Sequence, residues 1–175
     1  MKNTFTHAFL EKFLGTVVDE LDGKWILIGG TVMSILQEKV RPTVGIDLVP
    51  LDKAGNEARL KLMDLAERMK LPPEAINLAA EFFLKRIPNW EEELVLLKKG
   101  KKGEVYRPSA NLFLLSKISR LSETDLADCL AMIKFAEKKE CISSAVLEKI
   151  KRELKKAEAS RGERLQVLLS ALTTK

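Results

Sequence analysis

The stretch from Trp25 to Pro50 constrains the fold more than any other part of the chain. Four consecutive apolar residues, Trp25-Ile26-Leu27-Ile28, read as a short strand, and Gly29-Gly30 stops it. Thr31 to Lys39 reads as a helix with Val32, Ile35 and Leu36 on one side. Arg41-Pro42 breaks that helix, and Thr43 to Leu51 reads as a second strand bounded by Pro42 and Pro50. A strand, a glycine turn, a helix and a returning strand call for a sheet with helices packed on it.

The flanking segments extend this plan. Phe5, Phe9, Phe13, Val17 and Leu21 repeat at a spacing of four, so residues 4–21 read as an amphipathic helix ended by Asp22-Gly23. Ala54 to Lys70 reads as another helix, with Leu60, Met63, Leu65, Ala66 and Met69 inward. After Leu71-Pro72-Pro73, a further helix is expected to about Lys85, carrying Ile76, Ala79, Ala80 and Phe83 inward. Leu94 to Leu97 and Glu104 to Tyr106 flank a Lys/Gly-rich turn and read as a β-hairpin of uncertain register. From Ser109 the pattern is helical almost to the end, with Ser109 and Ser122 as N-caps and Ser122/Asp125 as a capping box. The expectation is an α+β fold with at most four strands in a small sheet, covered by helices. An α/β core over residues 1–108 is followed by a helical part over 109–175 packed on it.

Composition removes whole classes of function. One His and two Cys in 175 residues cannot supply a structural zinc site, which takes about four such ligands. A metal here would be a hard cation held by oxygen. Two Cys make no disulfide framework, no apolar run is long enough to span a membrane, and the N-terminus has no signal-peptide pattern. A cytoplasmic protein is expected. The net charge of +5 is mild, but Lys98, Lys99, Lys101 and Lys102 cluster around Gly100, and five more basic residues fall between Lys149 and Lys156. Either cluster could meet phosphate or be solvated surface.

The candidate chemistry sits in the same strand–turn–helix–strand stretch. Glycines at a strand–helix junction let a backbone approach a phosphate, and Gly29-Gly30 reads either so or as a plain turn. Thr31 reads as a helix cap, a phosphate-contacting hydroxyl or both. Downstream come Arg41-x-Thr43 and Gly45-Ile46-Asp47-Leu48, and later Leu114-Leu115-Ser116-Lys117-Ile118-Ser119-Arg120 followed by Asp125 and Asp128.

In these motifs, and over residues 5–140, the chain resembles the nucleotidyltransferase superfamily of polymerase-β-like fold. It is closest to bacterial minimal and AbiEii-type nucleotidyltransferases, some of them toxins of toxin–antitoxin systems. The resemblance makes the sheet a mixed one of nucleotidyltransferase type and implies Mg²⁺-dependent transfer of a nucleotide from a nucleoside triphosphate to a hydroxyl acceptor. It makes Gly29, Gly30, Thr31, Arg41 and Thr43 nucleotide-binding, Asp47 and Lys117 catalytic, and Asp47 with Glu104 the metal ligands. One position departs from the pattern. The family's Asp-x-Asp is Gly45-x-Asp47 here. Residues two apart on a strand share a face, so the family can aim two carboxylates at the same metal ions, and Gly45 removes one. The leading expectation is therefore a nucleotidyltransferase-like pseudoenzyme. The alternative is a non-catalytic module that binds nucleotide, RNA or a partner protein, in a toxin–antitoxin or defence system.

Overall fold

The computed structural model describes residues 4–36, 43–51, 55–78 and 84–173. It divides into two compact units, Met1–Arg86 with Leu94–Pro108, and Ile87–Glu93 with Ser109–Lys175. Among the described residues there are seven helices and five strands. The α+β fold with a small mixed sheet and covering helices is the one expected.

The first unit opens with α1 (His7–Glu20), N-capped by Thr6, whose hydroxyl accepts from the Phe9 N–H. Its buried stripe is Leu10, Phe13, Leu14, Val17 and Val18. β1 (Gly23–Ile28) follows, then α2 (Gly30–Leu36), β2 (Ile46–Pro50) and α3 (Gly55–Arg68). The sheet is completed by β3 (Ile76–Asn77), β4 (Leu94–Lys99) and β5 (Gly103–Pro108), in the order β3-β2-β1-β5-β4. β1 runs antiparallel to β2 and parallel to β5, and β3 runs parallel to β2. Central β1 is buried from Trp25 to Ile28, as its continuous apolar run demands.

Four details depart from the sequence reading. Residues 73–77 form a 3-10 turn, Pro73–Ala75, and then the fifth strand, β3, where a helix was expected. Pro72 is extended, and pairing of Ile46 with Ile76 on the open edge of β2 outweighs the helical spacing of the apolar residues. Ala79, Ala80 and Phe83, Ala54 at the start of α3, and residues 37–39 of the expected second helix lie outside the described residues. On α3, Leu60 faces solvent, and Leu62, Leu65 and Ala66 set the inward face at i, i+3 and i+4. β2 begins at Ile46, so Thr43 to Gly45 lead into the strand and Thr43 pairs only in a bridge to Phe5. The hairpin register shifts between Leu96 and Lys98.

The second unit contains α4 (Ala110–Ile118), α5 (Glu123–Lys139), α6 (Ser144–Leu154) and α7 (Ala159–Thr173). Ser109 caps α4, and the Ser122/Asp125 capping box opens α5. Leu114, Ile118, Leu121, Cys129, Ile133, Val146, Ile150, Leu165 and Leu168 form its core. Each large aliphatic among them contributes about 1.5–3 kcal/mol of burial. Arg161 and Arg164 on α7 donate to the Ser119 and Leu121 carbonyls, which satisfies backbone acceptors just beyond the end of α4. Among the described residues no helix is long and apolar enough to cross a membrane.

Candidate functional site

The end of β1, the Gly29-Gly30 turn and the start of β2 come together because β1 and β2 are antiparallel neighbours with Ile28 opposite Asp47. Gly29 has φ +67, a region that disfavours side chains. A Cβ placed there would lie 2.1 Å from Asp47 Oδ2. The turn therefore uses glycine both for its backbone angle and because the Asp47 carboxylate occupies the space above it.

Two hydroxyls converge on one carbonyl beside this turn. Thr31 Oγ1 donates to the Gly45 carbonyl at 2.8 Å, and Thr43 Oγ1 donates to the same oxygen at 2.9 Å. Thr31 is buried and Thr43 half-buried. The Thr31 hydroxyl ties residue 45 to the start of α2, and the Thr43 hydroxyl closes a local turn onto the same carbonyl. Gly45 itself is not required by sterics. A Cβ there would meet only the Ala75 carbonyl, at an ordinary 3.7 Å.

On the other flank of Asp47 stands β3. Asn77 is opposite Asp47 in the parallel pairing, and its side-chain amide donates to Asp47 Oδ1 at 2.7 Å. The neighbour of the half-buried carboxylate is thus an amide where a second carboxylate could have stood. Among the described residues, no group of three or more His, Cys, Asp and Glu side chains could hold a metal ion.

Gly29, Gly30, Thr31, Thr43 and Asp47 are brought together. Arg41 lies outside the described residues. Glu104 is not brought to Asp47. It pairs with Lys24 at the opposite end of β1 and on the other side of that strand. The four-residue offset alone separates them by about 13 Å. There Glu104 accepts from Lys99 Nζ at 2.8 Å and from the Tyr106 hydroxyl at 2.7 Å, and these bonds lower its pKa. The hairpin position expected to supply a metal ligand instead supplies an ion pair.

Lys117 belongs to the second unit. Its ammonium reaches Asp125 Oδ1 at 2.8 Å and Asp128 Oδ2 at 3.2 Å, and lies 5.2 Å from the Phe113 ring centroid. Arg120 holds both oxygens of Asp125, each at 2.8 Å. Burial pushes the Asp125 carboxyl up, but the bonds from Arg120, Lys117 and Ser122 win, and its pKa falls well below the usual carboxylate range. Next to this cluster, burial pushes the Cys129 thiol up to about 12, so it is a small core hydrophobe with no nucleophilic character.

A family model described as nucleotidyltransferase of unknown function (DUF6036) matches residues 8–167. The chain belongs to this family. The match runs into α7, well past the limit of residue 140 to which the motifs extended. No curated protein and no solved structure gives a significant match. Membership of a nucleotidyltransferase family supports a nucleotide as the ligand class.

Asn77 is the residue that sequence reading missed. It follows Pro72-Pro73 in a segment whose apolar spacing mimics a helix, and a two-residue strand is too short to display the alternation of a sheet. The signal that could have found it is the tandem proline, which holds Pro72 extended and so interrupts a continuous helix ahead of Ile76.

Proposed function

We propose that this chain is a non-catalytic member of its nucleotidyltransferase family, a binding module built on the transferase fold. The observation that carries the reading is the surroundings of Asp47. Gly45 stands two residues before it, and Asn77 donates to it from the adjoining strand. Mg²⁺-dependent nucleotide transfer uses two metals clamped between carboxylates that face one another. Among the described residues, one carboxylate bonded to an amide does not fit that requirement, and Mg²⁺ demands near-octahedral oxygen coordination. No transfer step is therefore assigned. What the chain retains is the α+β fold with a glycine turn against Asp47, and the family supports recognition of nucleotide, RNA or a protein partner as its use. The resemblance to AbiEii-type proteins supports a toxin–antitoxin or defence setting for that partner.

Nucleotide titration by thermal shift tests this reading. A ligand that binds the native state raises the melting point by mass action. The wild type should show the same nucleotide-induced shift with and without Mg²⁺. The double variant Gly45→Asp/Asn77→Asp should acquire a Mg²⁺-dependent component. A strong Mg²⁺ dependence in the wild type would contradict the proposal.

A further inference from the structure

The lysine-rich turn between β4 and β5 is held far more rigidly than an exposed turn of charged residues requires. The Gly100 N–H donates to the Gly103 carbonyl at 3.0 Å, the Lys102 N–H to the Val18 carbonyl at 3.0 Å, and the Lys101 N–H to Asp19 Oδ1 at 3.1 Å. Both glycines are forced by close approach to the end of α1. A Cβ at Gly100 would lie 2.5 Å from the Val18 carbonyl oxygen, and one at Gly103 would lie 2.4 Å from that of Leu21. The backbone of this turn is therefore fixed before any ligand arrives.

The lysines around it divide by what they do. Lys98 is paired with Glu11 on α1, and Lys99 with Glu104. Lys24 lies 5.9 Å from the Tyr106 ring centroid. Lys101 and Lys102 are exposed, and among the described residues their ammonium groups have no carboxylate partner. Lys24, Lys99, Lys101 and Lys102 line an open cavity of about 370 Å³ together with Gly23, Gly100, Gly103 and Glu104. Four lysines thus line the cavity beside Glu104, which is bonded to Lys99, with the Asp19 carboxylate on the Lys101 N–H, and Lys101 and Lys102 carry the charge that a ligand could meet.

We infer that this cleft binds the phosphodiester backbone of a nucleic acid. The lining decides between a nucleic acid and a protein. It contains glycine, lysine and one glutamate, and no aliphatic or aromatic side chain. Protein partners are held by buried apolar or aromatic anchors, whereas phosphates need only positioned charge. Lysine is a strongly hydrated point charge without the bidentate fork of arginine, so the contact is indifferent to sequence. The inference rests on the binding-module reading and supplies its ligand class. It concerns the end of β1 opposite Asp47, and its test needs neither Mg²⁺ nor a nucleoside triphosphate, so the two can fail separately.

The probe is a fluorescently labelled, mixed-sequence oligoribonucleotide of about 16 nucleotides, followed by anisotropy as salt is raised. Wild type should bind with salt-sensitive affinity. Lys101→Ala/Lys102→Ala should weaken binding by about tenfold at low salt and reduce the slope of log K against log salt by about 1.4. Lys155→Ala/Lys156→Ala removes the same charge just past the end of α6 and should leave both values unchanged. Equal losses in the two double variants would reduce the effect to net charge and overturn the inference. So would no RNA binding by wild type, displacement of RNA by polyglutamate as readily as by unlabelled RNA, or binding of free ATP at the turn in place of RNA.

Discussion

Gly45 and Gly29 are both glycines of one turn region, and they answer to different forces. Gly29 has a positive φ and the Asp47 carboxylate above it, while Gly45 has space and an ordinary backbone. Gly29→Ala should destabilise the protein by at least about 1–2 kcal/mol through its backbone angle, with a further loss because the Asp47 carboxylate, held by Asn77, must shift. Gly45→Ala should be neutral or stabilising by about 0.4–1 kcal/mol, because it reduces the freedom of the unfolded chain without strain. Urea unfolding of the two variants checks the contrast. Equal losses would mean that Gly45 is also held by sterics and that its carboxylate was displaced by packing. At this scale the sequence was legible where chemistry is local. Gly29, Thr31 and Asp47 were singled out from their spacing and are together in space. Glu104 was chosen because it was the only acid in its strand, and strand order, which spacing does not encode, puts it at the far end of β1.

Lys117, Arg120, Asp125 and Asp128 make α4 and α5 one electrostatic element. Asp125 is 1% exposed and Arg120 is 70% exposed, so the two partners differ in what they are worth. Asp125→Ala leaves the nearly buried Lys117 short of a counter-charge and removes half of the capping box, a loss of about 3–5 kcal/mol. Arg120→Ala should cost no more than about 1 kcal/mol, since water can replace its outer face. The pH dependence follows from the sign of the shift. Asp125 has a lower pKa folded than unfolded, so its contribution is complete above its unfolded value, near ~4, and is lost as pH falls toward the folded value. Melting temperature measured from pH 6 down to pH 2 should fall below about pH 4 in wild type. Asp125→Asn should flatten that fall, and an unchanged profile would show that other carboxylates govern acid unfolding. The capping box was readable because its partners lie three residues apart. β3 was not, because it exists only through its pairing with β2.

The whole molecule joins a mixed α/β sheet unit to a four-helix unit, and the family match spans both. A small sheet covered by helices followed from periodicity and turn residues, which local geometry and burial enforce, and the mixed pairing of its strands came with the family resemblance. Function was less legible, for a physical reason. A metal centre is a property of several side chains brought together from distant strands, and here two of the expected contributors are elsewhere or absent. The residue that completes the neighbourhood of Asp47 is an amide from a segment that reads as helix. The proposed non-catalytic role therefore rests on Gly45 and Asn77 standing beside Asp47. Its most direct test is Mg²⁺-dependent incorporation of labelled nucleotide into RNA and protein acceptors by the full chain, with Asp47→Ala as the background. The account predicts wild-type incorporation no higher than that of Asp47→Ala. Robust incorporation by wild type, abolished by Asp47→Ala, would contradict it.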